Sequence, residues 1–468
     1  MPQEDAIESL LSFSLDPAHV ALPASVELRV KMAILDTLAA SIAGRPAEGV
    51  AEVCALIEEW GGRPQATILS NGYKSTAPLA ALANGVAARA WDLDDVHEQN
   101  TCHVSANIVP ATLALSESEG SYSGTDLLAA IAVGMEVACR ISGAPKLSFS
   151  ETGMANSYQS GYFGVALAAA RMLHLDHTRA RHAAGIAYSR IAGNQQGYVD
   201  GAMTVRLMQG VTPEGGLIAA LMAQRGLTGS HKILEGRFGY YETYHRYAYD
   251  RDVLIKQLGN EWHLEDISIK PVYPCCKYTH GPIEAALAAQ RQAGISTRDI
   301  DRIDITVTNK EVYDLVCAPR ERKWNPETIV DAQFSLPYTV CYALTHAEMS
   351  LAALQPNAIH DPYVRKLMER VHIHLETERQ GTGRGTFPMP GEIALTTHAG
   401  VRHEAIVTHV KGHPQHPMSY EDVAEKLFQC AEYAGLESAR ARQLADTVYE
   451  IDRLSDVTPI ISLASAHA

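Results

Sequence analysis

The stretch SVELRVKMAILDTLAASIAG (residues 25–44) carries apolar side chains at positions 28, 32, 35, 38 and 42. This spacing places them on one face of an α-helix. Ser25 is expected to cap the start of the helix, and Gly44, followed by Pro46, is expected to end it. The pattern therefore predicts a helix of about this length with its apolar face buried against other elements.

More helices are expected through the first half of the chain. GTDLLAAIAVGMEVACRIS (residues 124–142) repeats the helical pattern, with a start near Thr125 or Asp126. Three further segments are dominated by alanine and other small residues, which let helices approach closely. They are APLAALANGVAARA (77–90), GYFGVALAAARMLHL (161–175) and PEGGLIAALMAQRG (213–226). No alternating strand pattern is found before about residue 265, which predicts a large all-helical domain.

The second half of the chain has a different pattern. RIDITVTN (302–309) and VHIHLETE (371–378) alternate and are rich in β-branched residues, which predicts strands. GEIALTTHAGVRHEAIVTHVKG (391–412) predicts a hairpin that turns near Ala399 and Gly400, and helices are expected between these strands. A helical pattern returns at residues 419–454, with Ser419 as its cap.

The predicted fold is mainly α, with a large all-helical domain and an inserted, smaller α+β lid domain. Residues 1–265 and 409–468 are assigned to the helical domain, and residues 266–408 to the lid. A cleft between the two is the expected ligand site.

Composition excludes some classes of function. The chain has 468 residues and a formal net charge of -15, without a lysine- or arginine-rich stripe. Such a chain repels nucleic acid phosphates, so no nucleic-acid partner is expected. An anionic substrate would need a pocket with a few local cations.

The opening MPQEDAIESLLSFSL is acidic where a signal peptide is basic, and no apolar run approaches the roughly 20 residues of a membrane span. A cytoplasmic protein without a membrane partner is therefore expected. The eight cysteines include no C-x-x-C pair, and the adjacent Cys275 and Cys276 are poorly placed to bond each other. Buried, reduced thiols are predicted, and no thiol chemistry.

The stretch DLDDVHEQNTCHVSANIVP (92–110) holds three aspartates and two histidines. Asp92, Asp94 and Asp95 follow an alanine-rich helix, where acids are unfavourable to the helix dipole. Such a local cost indicates function or an unseen partner. A metal site, an acid/base site and a polar loop all use these residue types, but no metal-ligand spacing on one helical face is present.

Six blocks in this order resemble the MmgE/PrpD family, over nearly the whole chain. They are AILDTLAASIAG, ARAWDLDDVH with CHVSANIVPATLAL, DGAMTVRLMQG, SIKPVYPCCKYTH, DAQFSLPYTVCYAL and KGHPQHPMSYEDV. The family includes 2-methylcitrate dehydratase, cis-aconitate decarboxylase and iminodisuccinate epimerase. The resemblance implies a helical protein with an α+β lid, a homodimer, and chemistry without a metal or organic cofactor.

The resemblance also implies site residues. Asp92 matches the family's active-site acid, and His103 matches the histidine of a motif that here reads HVS instead of HPS. Lys270 matches a lysine that meets a substrate carboxylate, although Val272 is one residue more than the family pattern has. Lys277 replaces a family arginine.

The chain departs from the family in one block. The family's lysine, histidine and second arginine are Val205, Met208 and Val211 here, and only Arg206 remains cationic. A further family histidine is missing, and GMANSYQSG supplies Asn156, Tyr158 and Gln159 in its place. A less positive pocket predicts a substrate with fewer carboxylates than methylcitrate.

The resulting hypothesis assigns acid/base chemistry to His103 with Asp92 as its partner, carboxylate binding to Lys270 and Arg206, and proton donation to Tyr158. The other expected substrate-binding residues are Asp95, Lys277, Tyr278 and His280. Three functions stay open. They are a lyase (dehydratase or decarboxylase) acting on a small carboxylate, an epimerase or isomerase using the same proton abstraction, and a binding protein without lyase activity.

Overall fold

The structure, a computed structural model, describes residues 4–120, 122–379 and 390–466. Helices dominate the part before residue 265. They are α1 (Ile7–Leu15), α2 (Ala24–Gly44), α3 (Val50–Trp60), α4 (Ala77–Arg89), α5 (Ser105–Glu119), α6 (Gly124–Gly143), α7 (Phe149–Thr152), α8 (Asn156–Met172), α9 (His177–Arg190), α10 (Gln196–Asp200), α11 (Thr204–Gln224), α12 (Tyr240–His245) and α13 (Arg251–Ile255).

Helix α2 is buried more completely than its sequence predicts. It packs against α4, α5, α6 and α21 (defined below), so most of its length has neighbours on several sides. Leu28, expected on the buried face, is 43% exposed, although Val26 in the same first turns is buried. Ser25 was also the wrong cap: the helix begins at Ala24, and Pro23 occupies the cap position. Gly44 does end the helix, as predicted.

Close helix packing depends on the small residues noted above. Helix α6 packs against α8, and a Cβ atom on Gly164 would lie 2.5 Å from the carbonyl oxygen of Gly134. Any larger side chain at Gly164 would force these helices apart, because that contact is to backbone. Helix α8 is thereby fixed against the core, and its first turns carry Tyr158 toward the site.

Short strands occur where the sequence predicts none. They are β1 (Ala66–Thr67), β2 (Lys74–Ser75), β3 (Val96–His97) and β4 (Ile267–Ser268). The first three precede residue 265 and have two residues each, too few to show alternation. Strand β3 pairs antiparallel with β4, with Val96 opposite Ser268. This pairing joins the aspartate-rich loop to the start of the second half of the chain.

The predicted strands of the lid are confirmed. They are β5 (Ile300–Val307), β6 (Val371–Leu375), β7 (Gly391–Thr397) and β8 (Arg402–Val407). They form one sheet in the order β6-β5-β7-β8, in which β5 and β6 run parallel and β7 and β8 form the predicted hairpin. Helix α14 (His280–Ala293) packs against β7 and β8.

The second half of the chain contains further helices. They are α15 (Lys310–Val316), α16 (Arg320–Lys323), α17 (Ile329–Gln333), α18 (Leu336–His346), α19 (Pro356–Ile359), α20 (Pro362–Met368), α21 (Tyr420–Tyr433), α22 (Ser438–Tyr449) and α23 (Thr458–Ala464). Ser419 caps α21, as predicted, by accepting a hydrogen bond from the Asp422 amide. The mainly α fold with a smaller sheet-containing region is therefore confirmed, while the domain boundaries at 265/266 and 408/409 stay a prediction.

Within the described ranges, every helix is too short or too polar to cross a bilayer. All eight cysteines are buried and free, as predicted.

Candidate active site

The aspartate-rich loop turns sharply at the end of α4. Asp92 adopts a left-handed backbone conformation (φ 53°), which aspartate tolerates better than most residues. The turn directs two carboxylates back toward Arg89 in the last turn of α4. Nη1 of Arg89 donates to Oδ1 of Asp92 and lies 3.2 Å from Oδ1 of Asp94. All three side chains are buried, so the arginine offsets the cost of burying two acids.

His103 lies beside Asp94, and this differs from the predicted pairing with Asp92. Nδ1 of His103 is 3.0 Å from Oδ2 of Asp94. Burial lowers the pKa of His103, and Arg89 lowers it further, while Asp94 opposes both. His103 is therefore neutral at neutral pH, and Asp94 is the carboxylate that lies beside its ring.

Lys270 holds the other aspartate. Its Nζ lies 2.5 Å from both Oδ1 and the carbonyl oxygen of Asp92. The pairing of β3 with β4, just before Lys270 in the chain, brings this lysine to the loop. Lys270 is fully buried, so its ammonium group fixes Asp92 from behind.

Asp95 has a structural role at the start of α5. Its Oδ1 accepts hydrogen bonds from the backbone amides of Val104 and Ser105, at 3.2 and 3.1 Å. Burial raises the pKa of Asp95 to about 7, and the nearby carboxylate of Asp36 adds to the shift.

This raised pKa predicts a pH-dependent stability. The folded state holds the proton of Asp95 more tightly than the unfolded state does. Protonated Asp95 therefore contributes fully to the free energy of unfolding below pH 3.8, and this contribution is lost as the pH rises through about 7. We expect Asp95→Asn, which cannot ionise, to gain up to about 4 kcal/mol relative to wild type over that interval. Urea denaturation of both proteins at several pH values measures the difference. A constant difference would contradict the assignment.

Two tyrosines complete the polar end of the site. The hydroxyls of Tyr158 and Tyr198 are 2.9 Å apart, and Tyr158 donates to the carbonyl oxygen of Val205 at 3.1 Å. Nε of Arg89 lies 3.4 Å from the Tyr158 hydroxyl. Burial raises the pKa of Tyr158, although Arg89 opposes the shift. Burial also raises the pKa of Tyr198, so both hydroxyls keep their protons at neutral pH.

A cavity of about 560 Å³ lies next to these groups, lined by both halves of the chain. The sequence-predicted residues on its wall are Asp92, His103, Tyr158, Lys277 and Tyr278. The ammonium group of Lys277 pairs with Glu98 and lies 2.8 Å from the Ser268 hydroxyl. Burial lowers the pKa of Lys277, and Glu98 opposes this.

Other predicted residues lie away from the cavity. Arg206 is buried on α11, and its Nη1 donates to the carbonyl oxygen of Glu48 at 2.6 Å. Nε2 of His280 lies 3.1 Å from the carbonyl oxygen of Cys275. Lys270 and Asp95 do not line the cavity. Lys270 contacts Asp92, and Asp95 contacts the first turn of α5. The structure therefore gives these four residues contacts with protein groups instead of with the cavity.

A second buried lysine supports the site from beneath. Nζ of Lys426, on α21, lies 2.5 Å from Oδ1 of Asp36. It also donates to the carbonyl oxygens of Leu93 and Lys270, at 2.6 and 2.9 Å. One ammonium group thus holds the aspartate-rich loop and the Lys270 segment together.

The same loop also has the residue types that could bind a divalent cation. Asp92, Asp94 and His103 each offer a ligand atom, and these atoms lie within 4.8 Å of one another. Oxygen and imidazole ligands suit several transition metals. However, Arg89 already contacts both carboxylates and Lys270 contacts one, so a cation would have to displace these positive groups.

Comparison with known families agrees with this architecture. A family model described as the MmgE/PrpD N-terminal domain matches residues 8–251, and one described as the MmgE/PrpD C-terminal domain matches residues 273–451.

The chain belongs to the MmgE/PrpD family.

Relatives in the MmgE/PrpD family are similar over most of their length. A cis-aconitate decarboxylase-like protein of Aspergillus oryzae is 24% identical, covering 99% of this chain and 98% of the relative. Cis-aconitate decarboxylase of Aspergillus terreus is 26% identical, over 94% of this chain and 92% of the relative. The Homo sapiens enzyme of the same name is also 26% identical, over 85% and 82%.

Some residues of this MmgE/PrpD site were not predicted from the sequence. Arg89 stands three residues before Asp92 in the block ARAWDLDDVH, and that spacing on a helix end could have indicated the pair. Tyr198 and Lys426 lie far along the chain from the groups they contact, and no local pattern marks them.

Proposed function

We propose that this protein is a lyase that acts by proton transfer beside a carboxylate of a small carboxylic acid, with decarboxylation as the first reaction to test. The observation that carries the proposal is His103 on the wall of the cavity, with Asp94 paired to its ring. Relatives that share nearly the whole chain and are named cis-aconitate decarboxylases support it.

His103 is proposed as the base. A neutral imidazole that directs Nδ1–H toward Asp94 leaves the lone pair of Nε2 able to take a proton. The carboxylate then stabilises the imidazolium that forms. Its partner on the wall, Tyr158, is proposed as the proton donor, because burial keeps its hydroxyl protonated.

These groups suffice for two lyase reactions. In a decarboxylation the bond to the leaving carboxylate breaks, CO₂ departs, and the electron pair left behind takes a proton at carbon, here from Tyr158. In a dehydration His103 removes a proton from carbon, and the tyrosine protonates the leaving hydroxyl, which departs as water. Positive charge from Arg89 and Lys277 on the wall stabilises the enolate-like charge in either case.

We further propose that the reaction needs no metal or organic cofactor. Arg89 and Lys270 already supply positive charge at the Asp92 carboxylate, where a metal ion would bind. Activity that survives exhaustive dialysis against a chelator is the expected result.

A homodimer and a cytoplasmic location, both implied at the level of sequence, remain proposals, and sedimentation analysis tests the first.

A screen of hydroxy and unsaturated di- and tricarboxylates by proton NMR in deuterated water tests the proposed function. A lyase shows loss of CO₂ or water with deuterium incorporation. Exchange of a proton without either loss would instead indicate an epimerase. The absence of any exchange, with binding retained, would indicate a binding protein.

The pH dependence of Asp94→Asn is a further expected result. In the wild type the acid limb of kcat/KM should lie below about 6.5, the ordinary pKa of histidine, because burial and Arg89 lower the pKa of His103. Removing the carboxylate at position 94 removes a group that raises this pKa, so the limb should move lower still. The rate of a dehydration should fall by about 10²- to 10⁴-fold, because the imidazole loses its orienting partner. A limb that moves to higher pH would contradict this pairing.

A further inference from the structure

The cavity is larger than a compact tricarboxylate requires. Its volume is about 560 Å³. A six-carbon tricarboxylate has about a dozen non-hydrogen atoms and, at the packing density of protein interiors, fills roughly 200 Å³. More than half of the space beside His103 is therefore left for another part of the ligand.

The charge of the cavity wall does not favour three carboxylates. Its basic side chains are Arg89, Lys146 and Lys277, and its acidic side chains are Asp92, Glu151 and Glu311. Two of the cations already share their charge with protein carboxylates, because Arg89 contacts Asp92 and Asp94, and Lys277 contacts Glu98. The positive charge that remains on the wall can meet fewer than three ligand carboxylates. A ligand with three negative charges would have to bury carboxylates without partners, at a cost of several kcal/mol each.

Part of the wall is apolar and starts next to the proton-transfer groups. The ring of Phe334 lies 4.9 Å from that of Tyr198, whose hydroxyl contacts Tyr158. Phe149, on α7, and Leu315, on α15, also line the cavity, and both are only half-buried. Apolar surface that faces a cavity and remains partly open to water favours a ligand group that covers it.

We propose that the cavity takes a mono- or dicarboxylic acid with an apolar arm of several carbons. The carboxylate end lies at Arg89 and His103, and the arm lies against Phe149, Leu315 and Phe334. This inference rests on the proposed function, because the same site would carry out the chemistry on the carboxylate end. It names a substrate class that is larger and less charged than cis-aconitate.

A chain-length series tests the arm. The compounds are 2-alkylmaleates and 2-alkylmalates with methyl, butyl and hexyl arms, beside cis-aconitate, which has no arm. Each is assayed by proton NMR in deuterated water for turnover and by calorimetry for binding. Because each buried methylene strengthens binding by about fourfold, both kcat/KM and affinity should rise by about that factor per methylene until the arm fills the cavity.

Two variants locate the arm, and one serves as the control. Leu315→Asn and Phe149→Ser should each reduce the hexyl-to-methyl ratio of kcat/KM or of affinity by about tenfold. Leu227→Asn makes the same change as the first variant at an exposed position outside the cavity and should leave the ratio unchanged. Unchanged thermal midpoints establish that each variant is folded, and either cavity variant is sufficient for the test.

The outcomes separate this inference from the proposed function. A rise with arm length, in turnover or in binding alone, supports the arm site. Fast turnover of cis-aconitate with no dependence on arm length would overturn the inference and leave the proposed lyase standing. Binding that rises with arm length without turnover of any compound would overturn the lyase and retain the site. Affinity that is independent of arm length would refute the inference whether or not turnover is seen.

Discussion

His103→Gln is expected to lose about a thousandfold in kcat for a dehydration while keeping the fold. A glutamine amide can still donate to Asp94, which lies 3.0 Å from the imidazole Nδ1 in the wild type, so the buried carboxylate keeps a partner. It cannot accept a proton from carbon, and proton transfer by a positioned side chain typically contributes 10²- to 10⁴-fold. Single-turnover NMR on a substrate found by the screen measures the loss.

The matched control for this result is His360→Gln. His360 is exposed, at the end of α19, and its ring contacts Arg365. This variant should retain full activity. If His103→Gln kept more than half of the wild-type kcat, the imidazole would have no part in the chemistry, and Tyr158 would be the first group to test instead.

Lys270→Met is expected to lower the free energy of unfolding by about 3 kcal/mol and to abolish activity. Lys270 is fully buried and lies 2.5 Å from Oδ1 and the carbonyl oxygen of Asp92. Methionine fills similar space but leaves the Asp92 carboxylate with Arg89 as its remaining cation, and breaking a buried pair costs about 3–5 kcal/mol. Urea denaturation gives the stability, and turnover gives the functional effect.

The double variant Asp92→Asn/Lys270→Met separates the two effects. With the Asp92 charge removed as well, more than half of the lost stability should return, but activity should not. Lys411→Met provides the surface control, since Lys411 pairs with Asp422 at 47% exposure and such pairs contribute only about 0–1 kcal/mol. A double variant as unstable as the single one would show that Lys270 stabilises the fold through other contacts.

Patterns in the sequence predicted the main elements because hydrophobic periodicity reflects burial. The hairpin of β7 and β8 and the cap of α21 at Ser419 follow from local residue chemistry. Leu28 did not follow its pattern, because whether a helix face is buried depends on neighbours that a single segment does not specify. Two-residue strands such as β3 have no period to detect, although β3 decides where Lys270 lies.

The site was less predictable than the fold, for a geometric reason. The sequence predicted that the loop containing Asp92 and His103 carries site residues. Which aspartate faces the imidazole, however, depends on the left-handed turn at Asp92. Arg206 is the cation that remains in its block and was expected to bind a substrate carboxylate. The orientation of α11 instead directs it to the carbonyl oxygen of Glu48. A family motif specifies which residue type occurs at each position. The hydrogen-bond partners of that residue depend on how the helices pack together.

Lys426 has a consequence for the order of events during synthesis. Its ammonium group, on α21, holds the carbonyl oxygens of Leu93 and Lys270 and neutralises Asp36. A nascent chain that has reached only the lid would already contain His103, Asp94 and every cavity residue named above, but it would lack this clamp. We therefore expect the site to become competent only after α21 has left the ribosome and docked. Prematurely ended chains would then be inert toward substrate instead of partly active.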